Sequence, residues 1–408
     1  MRVLIISLYW PPAGGPGVQR PLKMAAIWNK LGVDIHVLAP DNPKWLHSDD
    51  SLVAPPGVTV HRARNLGPSS RRLGEELYGL RGLSWAKVHA SLLFRRFLIP
   101  DASVIWLLTA IPAARRIIRE HKIDVVLTTS PPGSVHLVAV AATRGEDTFW
   151  VADLRDSLVR HSQRMRDIRG ERMLARKVAQ RADAIICASN LIAEEMSFEG
   201  MKSKISVIHN GSDFEDFDGL EYMPTKQFRI THTGSFFGLR NPRPFLDALS
   251  QVDGDVVARF VGDFRSSDHD YAKRLKLEER LEFFNFLSHR DALKLQSNSE
   301  VLLLLIPHAN DRGKGVLTAK IFEYLASGRP ILALVPPGGE AANLLKESGV
   351  ASIVDPDDID GIKEALQGFI NLHQDGPIMP SLASDFKEKI DRQSGALKLL
   401  KIFKDLLV

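Results

Sequence analysis

Short apolar runs alternate along this chain with stretches in which hydrophobic residues recur every three or four positions. Uninterrupted apolar runs predict strands buried on both faces of a parallel sheet, and periodic stretches such as residues 22–31 predict helices that cover it. In the first half the predicted strands are residues 3–8, 35–39, 125–129, 149–152 and 184–188. In the second half they are residues 229–233, 258–262, 281–287, 301–306, 331–335 and 351–354.

A polar stretch, residues 211–227, interrupts this alternation near the middle of the chain. A chain of 408 residues exceeds what one hydrophobic core usually supports. We therefore predict a first domain over residues 1–212, a linker over 213–227, a second domain over 228–392 and a closing helix over 393–408. In the last segment, apolar residues at helical spacing are Ala396, Leu400, Phe403 and Leu407.

Each half has the pattern of a doubly wound, Rossmann-like domain. Such sheets bind ligands at the carboxyl ends of their strands, so two facing domains would hold a ligand between them. The predicted fold class is therefore α/β, with two doubly wound Rossmann-like domains facing across a cleft.

The most informative single stretch reads Lys314-Gly-Val-Leu-Thr-Ala-Lys320-Ile-Phe-Glu323-Tyr-Leu-Ala-Ser-Gly328-Arg-Pro330. A glycine-bearing loop opens a helix that ends at Gly328 and leads into an apolar strand. Free amides at the helix start can hold a diphosphate, Lys320 adds charge, and Glu323 can accept hydrogen bonds from ribose hydroxyls. A nucleotide sugar carries both groups. For any single residue, an ordinary surface helix with a core-facing edge is the alternative.

A glycine-rich loop, Pro11-Pro-Ala-Gly14-Gly15-Pro16-Gly17, follows the first predicted strand. We reject a dinucleotide-binding site here, because the spacing is not Gly-x-Gly-x-x-Gly and Pro16 lacks an amide donor. The three glycines instead allow the backbone to approach a ligand closely. A plain tight turn is the alternative.

These stretches together resemble the family 4 glycosyltransferases of the GT-B fold. Further similar blocks are Tyr9 to Gly17, Ala152-Asp153-Leu-Arg155-Asp156, Ile208-His-Asn210-Gly211 and Thr233-Gly234-Ser235, so the resemblance covers nearly the whole chain. It implies a retaining, metal-independent transferase that moves a hexosyl or related group from a nucleotide diphosphate sugar to an acceptor hydroxyl. The usual setting of the family is the assembly of surface polysaccharides or glycolipids.

The resemblance also implies roles for individual residues. Glu323 anchors the ribose, and Arg240 and Lys320 hold the charge that develops on the leaving diphosphate. Ser235 stands where the family usually has another basic residue, and Gly315 where it usually has a glutamate. Contacts to the transferred sugar must then come from backbone amides or another side chain. The expected substrate-binding residues are Gly14, Gly15, Gly17, Gly234, Ser235, Gly313, Lys314, Gly315, Val316, Leu317 and Thr318.

Two of these interpretations have alternatives. Arg240 has the alternative of a solvated loop arginine. Asp156 follows the predicted strand 149–152 and is the candidate to orient an acceptor hydroxyl or act as a base. Alternatively, Asp153 and Asp156 form ion pairs with neighbouring arginines.

The sequence predicts neither a bound metal nor another cofactor, and the nucleotide sugar is a co-substrate. The pairs Asp216-Phe-Asp218, Asp268-His-Asp270 and Asp355-Pro-Asp357 have the Asp-x-Asp form, but solvated loops and a helix cap explain them better. The thirteen histidines show no ligand spacing along the chain.

Charge is uneven, since the overall +4 combines +6 over residues 1–220 with −2 over the remainder. Anionic lipid or a polyprenyl diphosphate suits this bias better than nucleic acid, because aromatic platforms and reader motifs are missing. Residues 83–98 could form a helix on an anionic membrane surface or an amphipathic core helix. Eight arginines concentrate in one region, where a solvated helix is an equally good explanation: Arg155, Arg160, Arg164, Arg166, Arg169, Arg172, Arg176 and Arg181.

No apolar run approaches the roughly 20 residues of a spanning helix, and the first residues read as a strand rather than a signal peptide. We therefore expect a cytoplasmic protein. The expected locations include a peripheral one on the inner face of the cell membrane. The one cysteine, Cys187, is expected in a core strand. The partners expected are a nucleotide-sugar donor and a glycan or lipid-linked acceptor. Alternatives to the transferase are a sugar-nucleotide 2-epimerase of the same architecture and an inactive sugar-nucleotide-binding protein.

Overall fold

The structure is a computed structural model that describes residues 1–41, 48–67, 98–159, 165–197, 204–236, 238–310 and 312–408. The chain divides into two compact units. The first comprises Met1–His209 together with Gly395–Val408, and the second comprises Asn210–Ser394. Residues 83–97 of the expected amphipathic helix lie outside the described ranges, as do Arg160 and Arg164.

The first unit contains one seven-stranded parallel sheet with strand order β3-β2-β1-β4-β5-β6-β7. Its strands are β1 (Arg2–Ser7), β2 (Asp34–Pro40), β3 (Thr59–Ala63), β4 (Val125–Ser130), β5 (Phe149–Leu154), β6 (Ala184–Cys187) and β7 (Ile205–Val207). Between them lie α1 (Pro16–Lys30), α2 (Leu107–His121), α3 (Val135–Ala142), α4 (Met165–Arg181) and α5 (Asn190–Met196). A short 3-10 helix, Ala102–Trp106, precedes α2. Cys187 is buried in β6, as expected, and burial raises the pKa of its thiol to about 12.

Two apolar clusters, one on each face of this sheet, form the core of the first unit. Of the apolar positions predicted near the end of the chain, Ala396, Leu400 and Phe403 join the cluster around β1 and α1, together with Leu399, whereas Leu407 is exposed. Trp28 anchors this segment, since its indole donates to the Ala396 carbonyl at 2.9 Å and its ring meets Phe403 edge-on.

The second unit contains a six-stranded parallel sheet with order β10-β9-β8-β11-β12-β13. Its strands are β8 (Phe228–Thr233), β9 (Val256–Val261), β10 (Leu281–Phe284), β11 (Val301–Leu305), β12 (Ile331–Leu334) and β13 (Ala351–Val354). Its helices, numbered onward, are α6 (Arg243–Leu249), α7 (Ser266–Arg274), α8 (His289–Ser297), α9 (Ala319–Ala326), α10 (Glu340–Ser348), α11 (Ile359–Gln374) and α12 (Ser384–Ile390), and the final helix of the chain is α13 (Arg392–Leu406). Short 3-10 helices are Phe214–Phe217, Glu278–Arg280 and Arg312–Gly315.

Both sheets therefore have the doubly wound topology that the sequence predicts, and the first strand of each sheet lies beside the fourth. Residues 213–227, expected to be a linker, lie in the second unit and include the helix Phe214–Phe217. The predicted strand 281–287 ends at Phe284, and α1 starts at Pro16 rather than at residue 22.

The strand order fixes a switch point in each sheet, where successive connections leave in opposite directions. In the first unit this point lies between β1 and β4, and in the second between β8 and β11. Loops at the carboxyl ends of such strands leave a crevice where ligands bind. The loop that follows β8 and the segment between β11 and α9 thus border the crevice of the second unit.

Candidate functional site

Gly234, directly after β8, and Lys320, in the first turn of α9, meet at the switch point of the second unit. Gly234 has φ +130, a conformation that side chains rarely adopt, and a Cβ atom there would overlap the Lys320 Nζ. The glycine therefore leaves the space that the lysine ammonium occupies.

Lys320 is a partly buried amine with a strongly lowered pKa. Burial and the nearby positive charge of Arg240 lower its pKa to about 7, against an opposing contribution from Glu323. Arg240 also donates to the Ser235 carbonyl at 3.3 Å. Two cationic side chains thus converge at one helix start, and a bound anion would relieve their repulsion.

Glu323 is one turn further along α9 and is held by two side chains from α8. His289 Nε2 lies 3.3 Å from its Oε2, and the amide of Gln296 donates to its Oε1. Burial opposes ionisation, but these contacts and Lys320 bring the pKa of Glu323 below its usual value. The carboxylate is therefore charged, and its oxygens have more acceptor positions than these two contacts use.

Sequence reasoning missed His289 and Gln296. Gln296 also donates to the Thr233 hydroxyl at 3.2 Å, which connects α8 to the end of β8. No local sequence motif marks either residue. Both lie on α8, and β11 separates α8 from α9 along the chain.

Ser235 has its hydroxyl engaged within the second unit. It donates to the Asp263 carboxylate at 3.0 Å and accepts from the Asp263 amide at 3.0 Å. Its side chain therefore fastens the loop after β8 to the loop after β9.

The segment before α9 differs from the expected run of free amides. The Gly313 amide donates to the His308 carbonyl at 2.8 Å, and the Val316 amide to the Gly313 carbonyl at 3.2 Å. A Cβ on Gly313 would overlap the Pro307 carbonyl, so packing against the backbone requires this glycine.

The remaining residues of this segment have different environments. Thr318 is the N-cap, and its hydroxyl accepts from the Lys320 amide at 3.1 Å. Leu317 packs against the apolar core of the unit. Lys314 is exposed and Gly315 partly so. The amides of Gly313, Val316 and Lys320 are already hydrogen-bonded within the segment. Fewer backbone amides are therefore left to donate to a diphosphate.

In the first unit, Gly14 and Gly15 lie in the loop between β1 and α1 at the corresponding switch point, and Gly17 lies in the first turn of α1. Gly15 has φ +90, and a Cβ on Gly17 would lie 2.7 Å from the ring of Tyr9. Arg155 donates to the carbonyl of Gly17 at 2.7 Å and to that of Ser130. Arg155 thus connects the end of β4 to the first turn of α1.

Asp153 is the buried partner of an arginine that the sequence did not suggest. Arg20 of α1 forms a two-bond ion pair with it, at 2.8 and 3.1 Å, and the Thr129 hydroxyl donates to it at 2.8 Å. Its partner thus lies far away in the chain rather than among the neighbouring arginines. Asp156 is exposed just beyond β5.

The Asp-x-Asp pairs have separate surroundings. Asp268 is buried against Arg243 at 2.9 Å. Asp355 contacts His308 at 3.0 Å, with Asp357 3.9 Å from the same ring nitrogen. The cap of α11 is Asp358 rather than a member of the pair.

Two clusters of side chains could each hold a cation. One consists of His308, Asp355 and Asp357, and the other of His36, His61 and His121 in the first unit. Spacing along the chain does not reveal either cluster, because each joins residues from separate parts of the chain.

None of the helices in the described ranges has both the length and the apolar character needed to span a bilayer.

Comparison with known proteins shows a family match over part of the chain and a shared fold over all of it. Residues 14–211 match the family described as glycosyl transferase 4-like domain. A comparison with curated proteins found no match.

Several solved structures share the fold. Sucrose-phosphate synthase from Thermosynechococcus elongatus has 13% identity and TM-score 0.70, with 100% of this chain and 99% of that chain covered. Anabaena HepE, in complex with UDP and glucose, has 16% identity and TM-score 0.67, with 99% and 100% covered. The lipopolysaccharide outer core galactosyltransferase WaaB has 14% identity and TM-score 0.57, with 99% and 100% covered. The GT-B fold and the resemblance to family 4 glycosyltransferases are confirmed.

Proposed function

We propose that this GT-B protein, in which residues 14–211 match the glycosyl transferase 4-like domain, transfers a sugar from a nucleotide diphosphate sugar to an acceptor hydroxyl. The observation that carries the proposal is the convergence of Gly234, Arg240, Lys320 and Glu323 at the switch point between β8 and β11.

The charges of these residues match the two halves of a nucleotide diphosphate. Lys320 and Arg240 bind the diphosphate, and the ionised Glu323 accepts hydrogen bonds from ribose hydroxyls. In the reaction, the bond from the anomeric carbon to the diphosphate oxygen breaks while a bond to the acceptor oxygen forms. Both cations stabilise the negative charge that the leaving diphosphate gains.

We further propose that transfer proceeds with retention, by front-face attack, and without a metal ion. The two cations beside Gly234 supply positive charge to the diphosphate, which supports metal independence. Asp156 in the first unit is the proposed group that orients the acceptor hydroxyl or takes its proton.

A UDP sugar is the first donor to test, because structures of Anabaena HepE contain UDP or UDP-glucose. For the acceptor, we propose a glycan or a lipid-linked glycan of a surface polysaccharide or glycolipid. The similarity to the galactosyltransferase WaaB and the positive charge of residues 1–220 support this class. The proposed location is the cytoplasm, including the inner face of the cell membrane.

A 2-epimerase is the second candidate. A protein from Listeria monocytogenes described as a UDP-N-acetylglucosamine 2-epimerase shares the fold with TM-score 0.53. The pairs His289–Glu323 and His308–Asp355 supply histidines and carboxylates in the second unit. Conversion of a nucleotide sugar without any acceptor would favour this candidate. Binding without either reaction would favour an inactive binding protein.

The experiment is a thermal-shift screen of UDP, GDP, ADP and TDP sugars, followed by a transfer and hydrolysis assay with the sugar that binds. A ligand that binds the native state raises the melting temperature by mass action. Gly234→Ala should abolish the shift, because its methyl group would displace Lys320. Gly238→Ala is the matched control, since Gly238 has φ +62 in the same loop but open space at its Cβ. Equal shifts for both variants, or none for any sugar with the unmodified protein, would contradict the proposal.

A further inference from the structure

Three histidines from separate parts of the first unit meet at one edge of its sheet. His36 is on β2, His61 is on the neighbouring edge strand β3, and His121 is the last residue of α2. His36 Nδ1 lies 3.0 Å from His61 Nε2. The ring of His121 lies 4.3 Å from that of His36 and 5.3 Å from that of His61, measured between centroids.

The three rings can direct one nitrogen each to a common point. One ring nitrogen from each histidine lies within 4.8 Å of the others. Tetrahedral zinc binds imidazole nitrogen at about 2.0–2.1 Å, which places neighbouring ligand nitrogens about 3.3 Å apart. The pair at 3.0 Å is already near this separation. Side-chain rotation of His121, at a helix end, can supply the remaining approach.

The carboxylate of Asp34 lies beside the ring of His36, on the side away from His61. Asp34 Oδ1 lies 3.5 Å from His36 Nε2, the nitrogen opposite the one that faces His61. Metal-ligating histidines commonly donate their second ring N–H to a carboxylate, which fixes the ring and its tautomer. His36 is 4% exposed, so its orientation is also set by packing.

The surroundings of the three histidines contain features that favour a bound cation and features that oppose one. Burial lowers the pKa of His36 and His61, which favours the neutral imidazoles that bind metals. Arg2 and Arg116 are close enough to oppose a cation. Arg116 is 3.8 Å from Glu120, and Arg2 donates to the backbone carbonyls of His121 and Lys122, so both cations have partners other than the histidine rings.

We propose that His36, His61 and His121 bind one Zn²⁺ or a similar late first-row divalent ion, with water in the fourth position. Three imidazoles at one point are the donor set that such ions prefer. The ion would join β2, the edge strand β3 and the end of α2, and so stabilise the first unit. None of the three histidines is among the residues proposed to bind the donor or to act on the acceptor.

The test is a calorimetric titration of chelator-treated protein with Zn²⁺, together with its melting temperature with and without the ion. The full-length protein should bind one equivalent at this site and melt at a higher temperature when loaded. His121→Gln and His61→Gln should each weaken this binding at least tenfold, since even the groups that orient ligands contribute about 10–100-fold. His308→Gln alters the histidine of the other cluster and should retain the equivalent that His121→Gln loses.

Several results would overturn the proposal. These are no saturable Zn²⁺ binding by the unmodified protein, unchanged binding in both His121→Gln and His61→Gln, or loss of all binding in His308→Gln. If both first-unit variants fail to fold, the visible absorption spectrum of the unmodified protein loaded with Co²⁺ tests the proposal instead. Intense visible absorption of a four-coordinate ion supports the site, and the weak absorption of a six-coordinate ion contradicts it.

Discussion

The lowered pKa of Lys320 makes nucleotide binding depend on pH in a defined direction. With a pKa of about 7, half of the free protein carries an uncharged Lys320 at pH 7 and nearly all of it does at pH 9. A bound diphosphate favours the protonated amine and raises its pKa. Binding above pH 7 therefore takes up a proton, and affinity falls as pH rises.

The size of the effect follows from this pKa if a bound diphosphate restores the ordinary value of 10.5. Between pH 7 and pH 9, the affinity for UDP should fall by roughly 50-fold, or about 2.3 kcal/mol. UDP itself changes little over this range, because the second ionisation of a phosphate group lies near pH 6. Below pH 7 the contribution of Lys320 should level off.

Isothermal calorimetry with UDP at constant ionic strength measures this dependence. Repeating each titration in two buffers of different ionisation enthalpy gives the proton uptake, which should approach about one per UDP at pH 9. Lys320→Met should bind weakly with a nearly flat pH profile. Lys314→Met removes an exposed lysine from the preceding segment and should keep the slope. Constant affinity of the unmodified protein from pH 7 to pH 9, or the same slope in Lys320→Met, would refute the reasoning.

Four further outcomes are expected. Glu323→Gln should weaken nucleotide-sugar binding by about 1–3 kcal/mol, because a charged hydrogen-bond partner is lost, and unchanged affinity in calorimetry would remove the ribose assignment. Sugar transfer should persist in EDTA, whereas loss of turnover that magnesium or manganese restores would show a metal at the donor. Arg20→Met should lower the free energy of unfolding in urea by about 3–5 kcal/mol, because it leaves a buried carboxylate unpaired, whereas Arg116→Met, at an exposed pair, should cost less than about 1 kcal/mol. The protein should bind anionic vesicles reversibly and release them in high salt, since each basic residue near the surface contributes about 1 kcal/mol, and replacing Arg95 and Arg96 by glutamate should reduce cosedimentation but not donor binding.

The sequence predicted the central strands because burial on both faces leaves an uninterrupted apolar run. The predicted strand 331–335 differs from Ile331–Leu334 by one residue. The strands Thr59–Ala63 and Ile205–Val207 were not predicted, because they lie at the edges of the sheet and include exposed residues. An edge strand has one partner and less apolar surface to bury.

Residues close together in sequence were also easier to assign to the site. Lys320 and Glu323 share one helix, and their spacing alone placed them on one turn. His289 is 34 positions from Glu323, and Arg20 is 133 positions from Asp153. The three histidines depend on the register of β2 with β3, in which Leu38 lies opposite His61. Such contacts follow from strand register and helix placement, which a single sequence does not specify.

The first unit uses two separate stretches of the chain, and its last stretch fills its core. During synthesis, the apolar surface that receives Leu399 and Phe403 stays uncovered while the whole of Asn210–Ser394 is translated. At ordinary elongation rates this takes on the order of ten seconds or more. Over that interval we expect the nascent chain to expose the kind of apolar surface that chaperones bind. A ribosome that stalls within the second unit leaves this apolar surface exposed and prone to aggregate, and translation of the final helix supplies the residues that cover it.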